Sequence, residues 1–413
     1  MSDSFLTHSM IADRALFDLQ NELTFSRNVY KGYNSEFKSV GRFKKGNSVT
    51  IALPNKFRTK TGPTLDVVDV QEGSTTITVD EHQLVGMDFL ETDLTFEIED
   101  FSRKYIRPAT IALANKVDAD GCEEYVNVYN MVGTPGTTPS TFGVLADAAV
   151  RFSNEAIPKE DRVAVLSPKA LWSLADGELK GVFAPGMVES LLRKGFSGRY
   201  ALMDFFEDQN ITTHTVGAHS GTPVMNGATA EGATALNIDG WPNTTTVLKK
   251  GDIFTIAGVY GVNPVSGKVW EGNELRQFVV TADAISNGSG ETAVSIAPKI
   301  YSSAATEDYL PYQTVGTLPA NGAAITVVGT LSTGYPQNLL FHPNCFALTM
   351  VPFERPKSAG QSVMWAQASD PQMGLSITVA TAYDITNYKE NTRLDILYGW
   401  DTPQPEYGIR LVG

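Results

Sequence analysis

Leu248-Lys-Lys-Gly-Asp-Ile-Phe-Thr-Ile-Ala-Gly-Val259 passes from a polar turn into an apolar strand within twelve residues. Gly251 and Asp252 supply turn chemistry, and the β-branched and aromatic residues from Ile253 onward favour extended backbone. Phe43-Lys-Lys-Gly-Asn-Ser-Val-Thr-Ile-Ala-Leu53 has the same order of residue types. We read this as one turn-into-strand device used twice, without a domain repeat. Working outward from Leu248, residues 218–335 are rich in Gly, Thr, Val and Ala. Strands are expected near Thr245–Leu248, Ile253–Val259, Gln277–Ala284, Ala293–Ile296 and Ala324–Val328, with breaks almost always at Gly, Pro or Asn. Short, evenly spaced strands without a helix predict a small closed barrel or sandwich.

The flanks mix the two periods. Residues 10–23 carry Met10, Leu16, Phe17 and Leu23 as an apolar stripe, with Asp13, Asp18 and Glu22 elsewhere on the helix surface. Strands are expected at Ser48–Leu53, Thr64–Val70, Thr75–Val79 and Gln83–Phe89, so that residues 46–90 read as a β-hairpin arm poor in core residues. Residues 97–131 read as helical, with Pro108 either kinking the helix or opening its second part. A helix at Phe142–Ile157 stops before Pro158, and Arg162–Leu166 reads as a short buried strand. Ser167 then caps a helix whose first residue is Pro168, and a further short helix is expected at Met187–Lys194. Strand patterns return at Phe346–Val351, Leu375–Ile385 and Thr392–Tyr398. The stretch Tyr407–Gly413 reads as a last strand tied into a sheet. The fold class is therefore α+β.

Charge is unevenly placed. Arg27, Lys31, Lys38, Arg42, Lys44, Lys45, Lys56, Arg58 and Lys60 face a single acid, Glu36, in the same stretch. Asp66, Asp69, Glu72, Asp80, Glu81, Asp88, Glu91, Asp93, Glu97, Glu99 and Asp100 follow with no Lys or Arg among them. Adjacent blocks of opposite sign suit surfaces that must find copies of themselves, because complementary potentials set orientation and register. The plainer reading is two solvated faces of one domain.

With 413 residues, 42% hydrophobic and 19% charged, the chain is a globular protein of two or three domains. A net charge of -14 argues against nucleic-acid binding by the chain as a whole. No segment approaches the roughly 20 apolar residues of a membrane span, and residues 1–20 lack the pattern of a signal peptide. Cys122 and Cys345 stand alone, which points to a reducing compartment.

Little in the sequence carries reaction chemistry. Gly288-Ser-Gly-Glu-Thr-Ala293 matches a dinucleotide fingerprint, but strand residues follow where the motif needs a helix. His214 and His219 lie in a Gly-Ser-rich loop that reads as solvated. Glu123 with Glu124, or Asp118 with Asp120, could be nominated as an acid pair. Neighbours one or two apart on a helix do not share a face, which weakens both. No catalytic residue, metal ligand or cofactor is assigned.

The order of N-terminal helix, charged β-arm, long helix, mixed domain, inserted β-domain and return strands resembles the Hong Kong 97 fold of tailed-phage major capsid proteins. The inserted domain narrows the resemblance to the coat-protein family of phage P22. Leu248–Val259 is similar to that family's inserted-domain strand. Leu394-Asp-Ile-Leu-Tyr-Gly-Trp400 and Pro405-Glu-Tyr-Gly-Ile409 are similar to its C-terminal strands. The family's long acidic loop is reduced here to Leu236-Asn-Ile-Asp-Gly-Trp-Pro-Asn243. The resemblance implies an N-terminal arm at 1–45, an extended loop at 46–90, and a spine helix and peripheral domain at 91–217. It further implies an inserted β-barrel at 218–337, and an axial domain with return strands at 338–413.

The function so implied is a subunit that self-assembles, as pentamers and hexamers, into an icosahedral head shell around double-stranded DNA. Its partners would be copies of itself, a scaffolding protein, a portal protein and a possible decoration protein, with no membrane. It would assemble in the host cytoplasm and end in the virion. Lys44, Lys45, Arg58, Lys60, Asp66, Asp69, Asp80 and Glu81 are the candidate subunit contacts. Asp13, Asp18 and Glu22 are the candidate scaffold contacts, because the resembled family's scaffolds bind through basic helices. Two other classes compete. A surface β-protein such as an adhesin or tail component would form fibres or trimers. An enzyme would need a pocket with convergent carboxylates.

Overall fold

Ile253–Tyr260 is a strand, and it lies inside a six-stranded sheet ordered Ile325–Val327, Ile253–Tyr260, Leu275–Val280, Thr292–Ile300, Ala233–Asp239 and Val224–Met225. The first and last of these meet through a bridge between Val224 and Ala324, so the sheet comes close to closing on itself. Phe254, Ile256, Phe278, Val280, Leu236, Ile238, Val294 and Ile296 fill its interior. Each fully buried side chain of this kind contributes about 1.5–3 kcal/mol. Ile253 and Val279 belong instead to a cluster with Tyr129, Met131 and Val412. The start of the quoted strand is therefore apolar on both sides, which is why Ile253-Phe254 reads as a run and not as an alternation. The barrel expected from the sequence is present.

This is a computed structural model, and it describes residues 8–37, 46–59, 62–63, 69–90, 102–176, 199–200, 202–354, 363–370, 373–384 and 389–412. The helix expected at Met187–Lys194 and most of the strand expected at Thr64–Val70 lie outside the described residues. The chain forms two compact units. One contains Met1–Ile51, Thr75–Gly121 and Phe346–Asp401; the other contains Ala52–Ser74, Cys122–Cys345 and Thr402–Gly413.

The second unit holds the barrel and a six-stranded mixed sheet ordered Met131–Val132, Gly408–Leu411, Asn338–Phe341, Arg162–Leu166, Met203–Glu207 and Arg199–Tyr200. The strand Arg162–Leu166 is buried at every position. Its first residue holds the loop that follows the helix Phe142–Asn154: Arg162 Nε and Nη2 donate to the carbonyls of Pro158 and Ile157, both at 2.7 Å. The expected cap is present, with Ala170 N–H donating to Ser167 Oγ at 3.3 Å ahead of the helix Pro168–Asp176.

In the first unit, Pro108 sits in the opening turn of the helix Arg107–Glu123, directly after the helical turn Ser102–Ile106, so it opens the second part of the helical stretch. Asp118 on this helix accepts N–H groups from Thr24, Phe25 and Ser26, plus the Ser26 hydroxyl. Burial still pushes the carboxyl above its ordinary range. The N-terminal helix, His8–Glu22, buries Ile11, Ala12, Ala15, Leu16 and Leu19, whereas Met10 and Phe17 are exposed. The apolar stripe expected from the sequence is therefore rotated, because alanines complete the buried face.

The arm also differs from its expected form. Ser48–Ala52 pairs with Ser74–Thr78. Glu81–Leu90 instead runs antiparallel to the C-terminal strand Lys389–Asp401, from Glu81 opposite Tyr398 to Leu90 opposite Lys389. The hairpin thus ends at Thr78. Leu84, Gly86 and Asp88 are exposed on one side of Glu81–Leu90, which gives it a short-range arm-like pattern, but its hydrogen bonds are made some 300 residues away in sequence.

Candidate subunit-contact surfaces

Asp80 and Glu81 are exposed at the junction between the hairpin and the long sheet, where acids can meet another molecule. Asp69 is exposed too, and its backbone N–H donates to Asp308 Oδ1 at 3.2 Å. Arg58 is half-buried against Gly267, and burial lowers the pKa of its guanidinium. Lys44, Lys45, Lys60 and Asp66 lie outside the described residues. The structure therefore brings no basic partner from the 27–60 block onto Asp80 or Glu81 among the described residues.

The three acids of the N-terminal helix differ sharply. Asp13 is exposed. Asp18 is 5% exposed and pairs with Arg14 one turn earlier, at 3.4 Å. Glu22 is half-buried and pairs with Arg107 at 3.3 Å. Only Asp13 is presented outward, and the expectation that Asp18 offers a docking charge is corrected by its burial. Helical spacing places Asp18 in line with the buried Ile11 and Ala15, seven and three residues earlier, which the rotated stripe explains.

Sequence reading missed a set of polar contacts at the tip of the arm. Lys56 Nζ reaches Glu406 Oε1 at 3.1 Å. Burial works against the Lys56 charge, but Glu406 outweighs this and holds the ammonium above its ordinary range. Tyr312 hydroxyl donates to the Gln71 carbonyl at 2.6 Å and accepts the Lys56 N–H at 3.5 Å. Lys56, Phe57, Tyr129, Glu155, Arg276, Tyr312 and Glu406 are among the residues lining a cavity of about 230 Å³. Lys56 carried a weak signal as an isolated cation after Pro54-Asn55, but nothing local indicates its partner.

Two buried polar clusters were also missed. Arg276 pairs with Glu155, and the two side chains are 2% and 4% exposed. The Arg276 guanidinium lies between Tyr129, at 4.8 Å, and Trp270, at 5.2 Å. Arg151 covers the Trp270 ring at 4.5 Å and pairs with Glu274 at 3.0 Å. These contacts hold the barrel strand 275–280 to the end of the helix 142–154. In the second cluster, His214 is buried, which corrects its expected solvation. Its Nδ1 meets Tyr125 hydroxyl at 2.9 Å and its Nε2 meets Asp252 Oδ1 at 2.7 Å. Asp252 Oδ2 accepts N–H groups from Lys249 and Gly217. Asp252 is thus the residue that fixes the turn in the quoted stretch.

The nominated acid pairs hold structure together. Asp120 accepts from Lys116 and from Tyr398 hydroxyl, and Glu124 Oε2 accepts from Asn127 and Thr402, each at 2.7 Å. Glycine 290 of the fingerprint-like stretch has φ 78° in a turn where Asn287 Oδ1 accepts from Ser289 and Glu291, and the strand Thr292–Ile300 follows. Among the described residues no group of His, Cys, Asp and Glu is arranged to hold a metal ion, and no helix is long and apolar enough to cross a membrane.

Several solved structures similar to this chain come from phages. The chain is 13% identical to that of Mycobacterium phage Che8, with 94% of this chain and 90% of that one covered and a TM-score of 0.47. For the capsid of Ralstonia phage GP4 the identity is 7%, the coverage 92% and 84%, and the TM-score 0.44. For the acid-stable capsid of Helicobacter pylori bacteriophage KHP30 these values are 11%, 94% and 88%, and 0.41. No curated protein matches the chain. The family model described as P22 coat protein, gene protein 5, matches residues 7–413. With almost every residue inside that match, this chain belongs to the P22 coat protein family and is a major capsid protein of a phage head shell.

Proposed function

We propose that many copies close as pentamers and hexamers into an icosahedral shell around packaged double-stranded DNA, and that the subunit performs no reaction of its own. The single observation behind this reading is the family match across residues 7–413. Assembly takes place in the host cytoplasm with a scaffolding protein and around a portal, and a decoration protein can be added to the outside. The extended loop crosses to a neighbour, and the exposed acids Asp80 and Glu81 meet basic residues of the 27–60 block there. Asp13, as the exposed acid of the N-terminal helix, is the remaining candidate for scaffold contact on that helix.

The test is assembly. The chain is expressed with and without its scaffold, then examined by sedimentation and electron microscopy. Closed hollow particles are expected. Monomers or dimers alone under both conditions would overturn the reading. Normal scaffold content in Asp13→Lys particles would remove the N-terminal helix from the scaffold contact.

A further inference from the structure

We infer that Tyr312, Asp308 and Glu406 form a seat for the arm tip that is filled by the subunit's own tip when it is free, and by the tip of a second copy in the shell. This rests on the proposed crossing of the arm. Three separate anchors define the seat: the Lys56–Glu406 pair at 3.1 Å, the Tyr312 hydroxyl donating to Gln71 at 2.6 Å, and the Asp69 N–H donating to Asp308 at 3.2 Å. Together they hold both legs of the tip, Lys56 on the outgoing side and Asp69 and Gln71 on the return. They read backbone as much as side chain, so any identical segment in the same extended form satisfies them.

The tip of the same chain occupies this seat loosely. Phe57 is 73% exposed and Val265, across the cavity, is 71% exposed. Both line the cavity of about 230 Å³ together with Tyr129, Tyr312 and Tyr407. An occupant that leaves its phenylalanine largely in solvent loses little apolar burial when it departs. Its polar anchors are partly solvated, so each is individually weak and reversible. Exchange of identical elements between protomers needs no new complementarity, because every copy brings both a tip and a seat.

Zero-length cross-linking tests this on the natural residues. A carbodiimide joins Lys56 Nζ to Glu406 as an amide, and the reagent takes up the water that is lost. Light and nitrogen-15-labelled subunits are mixed in equal amounts, cross-linked either free or after assembly, and the joined peptides are identified by mass spectrometry. Free subunits should give only light–light and heavy–heavy products, and shells should give mixed products amounting to about half of the total. Tyr312→Phe, which cannot donate to Gln71, should lower the yield several-fold in both states, and Glu406→Gln should abolish it. Unmixed products in shells would overturn the exchange, showing that each seat keeps its own tip. Absence of the Lys56–Glu406 product from free subunits, or an unchanged yield in Tyr312→Phe, would overturn the seat itself. Failure to obtain shells would defeat the reading of the arm on which the exchange rests, separately from the result on free subunits.

Discussion

Removing one member of the Arg276–Glu155 pair is expected to destabilise the subunit far more than removing both. Arg276 and Glu155 are almost fully enclosed, so either one left alone is an uncompensated buried charge. Such a loss costs about 3–5 kcal/mol, whereas an apolar pair of similar volume is close to neutral. Arg276→Met also gives up stacking on Tyr129 and Trp270, interactions of about 0.5–2 kcal/mol each. We therefore expect Arg276→Met and Glu155→Leu each to lower the unfolding free energy by about 3–5 kcal/mol. The double variant should fall within about 2 kcal/mol of the parent, a coupling of about 3 kcal/mol or more. Against a total stability of about 5–15 kcal/mol, either single change shifts a urea midpoint visibly. The assay is urea unfolding of the free subunit below its assembly concentration, followed by circular dichroism and tryptophan emission. Single variants within about 1 kcal/mol of the parent, or additive effects in the double, would refute the argument that the barrel is anchored through this pair.

Four further outcomes are expected. Residues 222–337 expressed alone should unfold cooperatively and give dispersed amide signals. Arg276→Met should cost that piece far less than it costs the whole subunit, since Glu155 and Tyr129 are absent and only the stacking on Trp270 is lost; a disordered spectrum would exclude an autonomous barrel. Asp252→Asn replaces one carboxylate oxygen by an N–H donor, so that either the N–H groups of Gly217 and Lys249 or the His214 Nε2 face a donor in place of an acceptor, and should cost about 1–3 kcal/mol in urea unfolding. Burial depresses the His342 pKa below its ordinary 6.5, against the pull of Asp161 and with the help of Arg162. The imidazole thus contributes stability that is present above the unfolded value and lost as pH falls below it; His342→Gln should flatten the slope of unfolding free energy between about pH 5 and 7. Lys44→Glu with Lys45→Glu should block or misdirect assembly, and reversing Asp80 and Glu81 should partly restore it. Salt should weaken the effect as the Debye length falls from about 10 Å at 0.1 M to about 3 Å at 1 M. Normal assembly of the double lysine variant at low salt would leave the charge blocks as solvated faces.

Sequence alone determined what is set within a few residues. Ser167-Pro168 starts a helix because a side-chain cap and a fixed φ act locally, and Arg162–Leu166 is a strand because its residues favour extended backbone and can be buried throughout. The β-branched and aromatic run from Ile253 and the regular breaks of the insert were enough to expect a barrel or sandwich, and the order of elements was enough for the family. Tertiary structure alone decided what depends on partners far along the chain. Glu81–Leu90 looked like more of the arm, yet it pairs with residues 389–398, because a strand's own pattern does not specify its neighbour. Met10 and Phe17 looked like core, but alanines at 12 and 15 allowed close packing on a different face. His214 looked solvated among glycines and serines, but Tyr125 and Asp252 enclose it from 89 and 38 residues away. Charge followed the same division: composition showed where the acids and bases lie, but only packing separated exposed Asp13 and Asp80 from buried Asp18, Glu155 and Arg276. Burial is a property of the assembled neighbours, and no local run of sequence contains them.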